Sequence, residues 1–252
     1  MKQMVFGLIV AIQFLTRLPV PINVPWNKQT SKWAIRSYPF VGIVMGLLIL
    51  VVAVGLESHL SISMMALLTV TVWVWLTGGL HLDGWMDVAD ALGSNASLEK
   101  KWEIMKDPHV GSFGIIALLF LLGWKVFLIY SLFEIGFPIF ALLFILAFSR
   151  LGAVIIMIAL PTAKQQGLAW EWKKNIDWKD GLYAFIPIVA ILILFEGFLF
   201  FIPAYLLFIT AFGVWVKYKF KGTNGDLLGT AIEGGELWGL VITWMYFSFV
   251  MG

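Results

Sequence analysis

Seven long apolar runs, at 37–56, 63–82, 113–133, 138–160, 183–200, 201–217 and 236–251, restrict the solvent this chain can fold in. A helix needs about 20 largely apolar residues to cross a bilayer. Inside the bilayer each backbone N–H and C=O must find its partner within the protein, which selects helices. Hydrophobic residues make up 61% of the sequence and charged residues 13%, too little polar cover for a soluble domain of this size. The expected fold class is all-α: a polytopic integral membrane helical bundle of about seven transmembrane helices, in a single domain over 1–252. The stretch 4–18 is shorter and runs into Arg17-Leu18-Pro19. It is expected to form a short N-terminal apolar helix, interfacial or re-entrant. Within 183–217, Gly197 and Pro203 mark a turn between two abutting runs.

The loops alternate in charge. Lys28, Lys32 and Arg36 precede the first run, and Lys100, Lys101 and Lys106 lie between the second and third. Lys164, Lys173, Lys174 and Lys179 follow the fourth, and Lys217, Lys219 and Lys221 precede the last. The intervening short loops carry a glutamate each, Glu57, Glu134 and Glu196, and no lysine or arginine. The positive-inside rule puts all four basic segments in the cytoplasm. The longer loops are on that side too, so function is expected there. The absence of cysteine excludes disulfides, iron–sulfur clusters and thiolate zinc sites. A net charge of +2 gives no ground for a nucleic-acid partner.

Two acidic stripes meet that face. In Gly78-Gly79-Leu80-His81-Leu82-Asp83-Gly84-Trp85-Met86-Asp87-Val88-Ala89-Asp90, the three aspartates stand at i, i+4, i+7, within about 60° of one another on a helix. Carboxylates stacked this way repel unless a cation lies between them, and hard oxygen ligands suit magnesium, calcium or manganese. A solvated helix start explains Asp83 but not Asp90, two turns on. In Gly222-Thr223-Asn224-Gly225-Asp226-Leu227-Leu228-Gly229-Thr230-Ala231-Ile232-Glu233, Asp226 and Glu233 repeat the spacing on a helix opened by a glycine–asparagine turn; the bland reading is a capped helix start. In Lys106-Asp107-Pro108-His109-Val110-Gly111-Ser112-Phe113-Gly114, the glycines and Ser112 open a helix whose N–H groups can face a phosphate, with Lys106 adding charge. Arg150 follows a long apolar run and pairs either with a phosphate or with a carboxylate in a span. His81 is expected as a helix-end hydrogen-bonding residue, and Trp170, Trp172 and Trp178 as interfacial anchors.

Taken in order, these strings resemble the cobalamin synthase (adenosylcobinamide-GDP ribazoletransferase) family. The resemblance is carried by Phe14-Leu15-Thr16-Arg17-Leu18-Pro19, Tyr38-Pro39-Phe40-Val41-Gly42, Leu80-His81-Leu82-Asp83-Gly84 through Asp87 and Asp90, the Lys106–Gly114 string, and Gly225-Asp226-Leu227-Leu228-Gly229 with Glu233. Trp85, Met86 and Thr230 depart from the smaller residues expected beside those motifs, and no carboxylate is lost. The resemblance implies a magnesium-dependent phosphoryl-group transferase of a prokaryotic (inner) membrane. It joins α-ribazole or its 5′-phosphate to adenosylcobinamide-GDP and releases GMP; a homo-oligomer or a pathway complex at the membrane is a further expectation. The roles it implies are Asp83, Asp87 and Asp90 as catalytic residues and metal ligands, with Asp226 and Glu233 completing the metal site. Lys106, His109, Ser112, Arg150 and Asn224 are its substrate contacts. Two other readings are weighed. A CDP-alcohol phosphotransferase-like lipid headgroup enzyme requires an Ala-Arg pair soon after Asp-Gly, which is missing here. A divalent cation transporter requires acids at span centres or on both faces.

Overall fold

The computed structural model describes residues 1–250; the last residue of the expected 236–251 run lies outside them. Eleven α-helices and no strand are found among the described residues. They are α1 (Lys2–Leu15), α2 (Lys28–Leu56), α3 (Ile62–Thr77), α4 (Leu80–Gly93), α5 (Leu98–Ile104) and α6 (Ser112–Glu134). Then follow α7 (Ala141–Ala159), α8 (Leu168–Lys173), α9 (Trp178–Leu194), α10 (Phe201–Phe220) and α11 (Gly225–Phe249). Each apolar run is helical. By length and composition four helices can cross a membrane, or up to five with the bent pair α3–α4, and the chain is an all-helical multi-pass membrane protein. The turn expected inside 183–217 is a short 3-10 turn at Glu196–Phe198.

Helix α7 is the axis of the bundle: α2, α9, α10 and α11 all pack on it. Gly42 and Gly46 of α2 face the α7 backbone at Leu146 and Leu143 with no room for a side chain. Such small-residue contacts let helices approach where the hydrophobic effect gives no drive between them. Outward-facing Leu119, Phe120, Ile193, Leu194, Leu206 and Leu207 remain exposed, as a lipid-facing surface does. Helix α1 lies beside the start of α2: Thr30 donates to the Gln3 Oε1, and Phe14 stacks on Tyr38. It flanks α2 from Thr30 to Tyr38, where the apolar run begins.

Several boundaries differ from the apolar runs, and two of them bear on the site. The run 63–82 is two helices. Gly78 and Gly79 are both left-handed, at φ 64° and 76°, a conformation costly for other residues. They end α3 and turn the chain by 92° into α4. The final helix, in contrast, begins eleven residues before 236, at the Asn224 cap, and carries Glu233 and Glu236 into the bundle, where they are neutralised. Lys125 of α6 donates to Glu233 at 2.6 Å and to Glu236 at 2.5 Å, and Arg150 of α7 donates to the other Glu236 oxygen. These four side chains are at most 2% exposed. Two cations face two anions, and Lys125 also lies 4.8 Å from the centre of the Trp73 ring of α3.

Candidate active site at the crossing of α4 and α11

The 92° turn lays α4 across the first turns of α6 and α11, at the lysine-rich end of the bundle. The Asp-Gly pair is one half of this crossing and Gly225–Gly229 the other. A side chain at Gly84 would meet the Asp226 Cα and carbonyl oxygen at 2.8 Å. Thr230 donates to the Gly84 carbonyl at 3.1 Å, and Gly229 faces the His81 backbone. The close approach brings Asp83 and Asp87 against Asp226. Asp87 senses the negative charge of Asp226, Asp83 and Asp90 together, and Asp226 senses that of Asp83. Among the described residues none of these aspartates is in an ion pair with lysine or arginine.

Asn224 caps α11. Its side-chain oxygen accepts from the Leu227 N–H at 2.9 Å, and its amide donates to Asp226 Oδ2 at 2.6 Å, fixing that carboxylate. This combines the capped helix start with an acid aimed at the site.

Asp90 has another employment. Its oxygens accept the Gly111 N–H at 2.7 Å and the Gly114 N–H at 2.8 Å. A side chain at either glycine would collide with the carboxylate. The anion at the start of α6 is thus Asp90, where a substrate phosphate was expected. Asp90→Ala orphans two N–H groups and is expected to destabilise the protein by about 1–3 kcal/mol. The melting of size-exclusion peaks in detergent measures this.

Four further expected residues lie outside the aspartate cluster. Glu233 lies on the same face of α11 as Asp226 but two turns deeper, bound to Lys125. Arg150 is fully buried against Glu236. In the structure both belong to a core ion cluster, with their charges compensated out of reach of solvent. Among the described residues no three acids, histidines or cysteines stand close enough to ligate one ion as they are. His109 is exposed on its loop, with its ring 2.6 Å from Asp107; the His109 backbone N–H and ring hold the Asp107 carboxyl below the usual range. Ser112 is exposed at the first position of α6.

Lys106 is joined by Lys164, which the sequence marks only as one of the basic loop residues. Ala163 donates to the Thr223 carbonyl at 2.9 Å and Thr223 to the Pro161 carbonyl at 2.8 Å, pinning the loop after α7 to the loop before α11. This sets Lys164 against Lys106. Contact with the Lys164 amino group and its like charge hold the Lys106 ammonium below the usual lysine range. The pair lines an open cleft of about 370 Å³ with Trp102, Trp170 and Asn224. Two cations with no ion pair among the described residues therefore share a cleft with Asn224, whose amide holds Asp226.

Behind the cleft, sharing Leu168, Ala169 and Gly225 with it, is a narrower cavity of about 180 Å³. Asp83, Asp226, His81, Tyr38, Phe14 and Trp172 border it. Trp172 is only 2% exposed and packs edge-on against Trp26, Phe14 and Tyr38; it is a wall of the cavity, which corrects its reading as an interfacial anchor. His81 was expected to hydrogen-bond at a helix end, but neither ring nitrogen has a partner among the described residues. The N-terminal signature also converges here: Leu15 lines the cavity, and Arg17 packs on Gly78 and donates its backbone N–H to Leu76 at the α3–α4 turn.

The chain is 36% identical to an adenosylcobinamide-GDP ribazoletransferase of Thiobacillus denitrificans, over 98% of each chain. It is 34% identical to one of Halalkalibacterium halodurans over 98% of each, and 33% identical to one of Geobacillus thermodenitrificans over the whole of both. No solved structure matches it. The model of the CobS family, cobalamin-5-phosphate synthase, matches residues 7–244, from α1 through the α4–α11 crossing to the last helix, and the chain belongs to that family.

Proposed function

We propose that this chain is an adenosylcobinamide-GDP ribazoletransferase. It joins α-ribazole or its 5′-phosphate to adenosylcobinamide-GDP and releases GMP. The observation that carries the reading is the crossing of α4 and α11, which brings together aspartates that have no ion pair among the described residues, next to Asn224 and Gly225 of the cleft that the lysine pair lines. Phosphoryl transfer needs little covalent help and much positioning and charge balance. A ribose hydroxyl oxygen forms the new bond to the phosphorus on the cobinamide side. The bond from that phosphorus to GMP breaks, and the hydroxyl proton passes to one of the carboxylates of Asp83, Asp87 and Asp226.

The donor set fits magnesium: oxygen ligands only, several negative charges, and no resident cation among the described residues. Magnesium commonly uses one or two carboxylates and fills its shell with water and substrate phosphates. It therefore does not require the five-carboxylate site of the two stripes. Asp87 and Asp226, one from each helix, would hold it, with Asp83 beside them. When bound, it neutralises developing charge and orients the reacting oxygens. Asn224 keeps Asp226 in place, and Lys106 and Lys164 bind the diphosphate. The positive-inside rule, applied to the basic loops, supports a site facing the cytoplasm at a prokaryotic cell membrane.

Purified protein in detergent, given adenosylcobinamide-GDP and α-ribazole, is expected to yield GMP and the joined product only when magnesium is present. Full turnover in a chelator would contradict the metal assignment. No product from folded protein would contradict the transferase reading.

A further inference from the structure

Six buried side-chain polar atoms lack a hydrogen-bond partner among the described residues, and four of them border a single cavity: Tyr38 Oη, both His81 ring nitrogens and Trp172 Nε1. Tyr38 and Trp172 are each 2% exposed and His81 3%. An unsatisfied buried polar group costs stability, so several around one cavity mark where a ligand's polar atoms belong. The remaining walls are apolar or aromatic, including Phe14, Met157 and Ile232. An apolar cavity of about 150 Å³ accepts a benzene ring; this one, at about 180 Å³ and open on the cleft side, suits a larger flat ring.

Resting on the reaction proposed above, we infer that this cavity is the nucleoside subsite: it takes the bicyclic aromatic base of ribazole and turns the ribose toward Asp83 and Asp226. The base is a methylated benzimidazole, apolar on its edges, with one ring nitrogen free to accept. Trp172 can only donate, the Tyr38 hydroxyl can do either, and neutral His81 offers one donor and one acceptor. That inventory meets one ring nitrogen and the sugar hydroxyls. Guanine, with polar atoms around most of its rim, would leave several unpaired against the apolar walls. The lysine cleft instead suits the diphosphate of the other substrate. The two compartments meet at Gly225, next to Asp226. The sugar of one substrate and the diphosphate of the other therefore come together at the carboxylates.

The test uses the full chain in detergent, with α-ribazole as the probe. Its binding is followed by equilibrium dialysis without the second substrate, and KM is measured for both substrates. Tyr38→Phe and His81→Leu are each expected to weaken α-ribazole binding by about tenfold, the worth of one hydrogen bond, and to leave KM for adenosylcobinamide-GDP unchanged. Lys164→Ala is expected to do the reverse. Ligand-free Tyr38→Phe should melt no lower than wild type, since it loses a hydroxyl without a partner; a purely structural tyrosine would show the opposite pairing. Wild-type α-ribazole affinity in both cavity variants overturns the assignment, as does a loss confined to adenosylcobinamide-GDP. Should α-ribazole bind in a Tyr38- and His81-dependent way without any product forming, the subsite stands and the reaction falls. Product formation indifferent to both variants has the opposite meaning.

Discussion

The Asp83→Asn variant is expected to lose turnover by on the order of 10³-fold, the scale seen when one preorganised charge contact to a transition state is removed. Asp83 is exposed, borders the cavity beside Asp226, and forms no hydrogen bond that holds helices together. Its loss should therefore leave membrane insertion and melting temperature intact. Steady-state rates and detergent melting on one preparation separate the effects. Activity within tenfold of wild type would remove Asp83 from the chemistry.

The other large effect concerns stability. In Lys125→Met, Glu233 and Glu236 lose a cation that contacts both, and Arg150 alone remains, bound to Glu236. Breaking a buried pair by removing one partner typically costs about 3–5 kcal/mol, because a charge is left uncompensated. The variant is expected to melt far below wild type, and adding Glu233→Gln should restore much of the loss. Fluorescence-detected size exclusion after heating suits a protein with no cysteine for thiol dyes. A Lys125→Met protein melting like wild type would show that this cluster does not hold α6, α7 and α11 together.

Apolar run length and the alternation of basic and glutamate loops made the helices and their order legible. Helical spacing made the faces legible too: Asp83 with Asp87, and Asp226 with Glu233. Spacing fixes a face but not a depth or a neighbour. Glu233 shares the Asp226 face but stands about 10 Å further along the axis, where Lys125 meets it. Asp90 is on the Asp83 stripe but is taken by the N–H groups of Gly111 and Gly114. Lys164 and Trp172 were hidden differently. In a basic loop both have an ordinary explanation in membrane orientation. Only the backbone pairing of Ala163 and Thr223 puts Lys164 beside Lys106, and only the packing of Phe14, Trp26 and Tyr38 draws Trp172 inward. Those contacts join residues far apart in the chain, where local pattern carries no signal.

Manganese is a magnesium surrogate whose free form gives a six-line paramagnetic resonance signal that fades on binding. Titrating it into wild type, Asp87→Asn, Asp226→Asn and Glu233→Gln tests most directly whether α4 and α11 build one metal site. Wild type is expected to bind manganese and release it to excess magnesium. Each aspartate variant should bind at least about tenfold more weakly, and folded Glu233→Gln should bind as wild type does. Undiminished binding in Asp226→Asn, or a loss in Glu233→Gln as large as in the aspartate variants, would contradict the account.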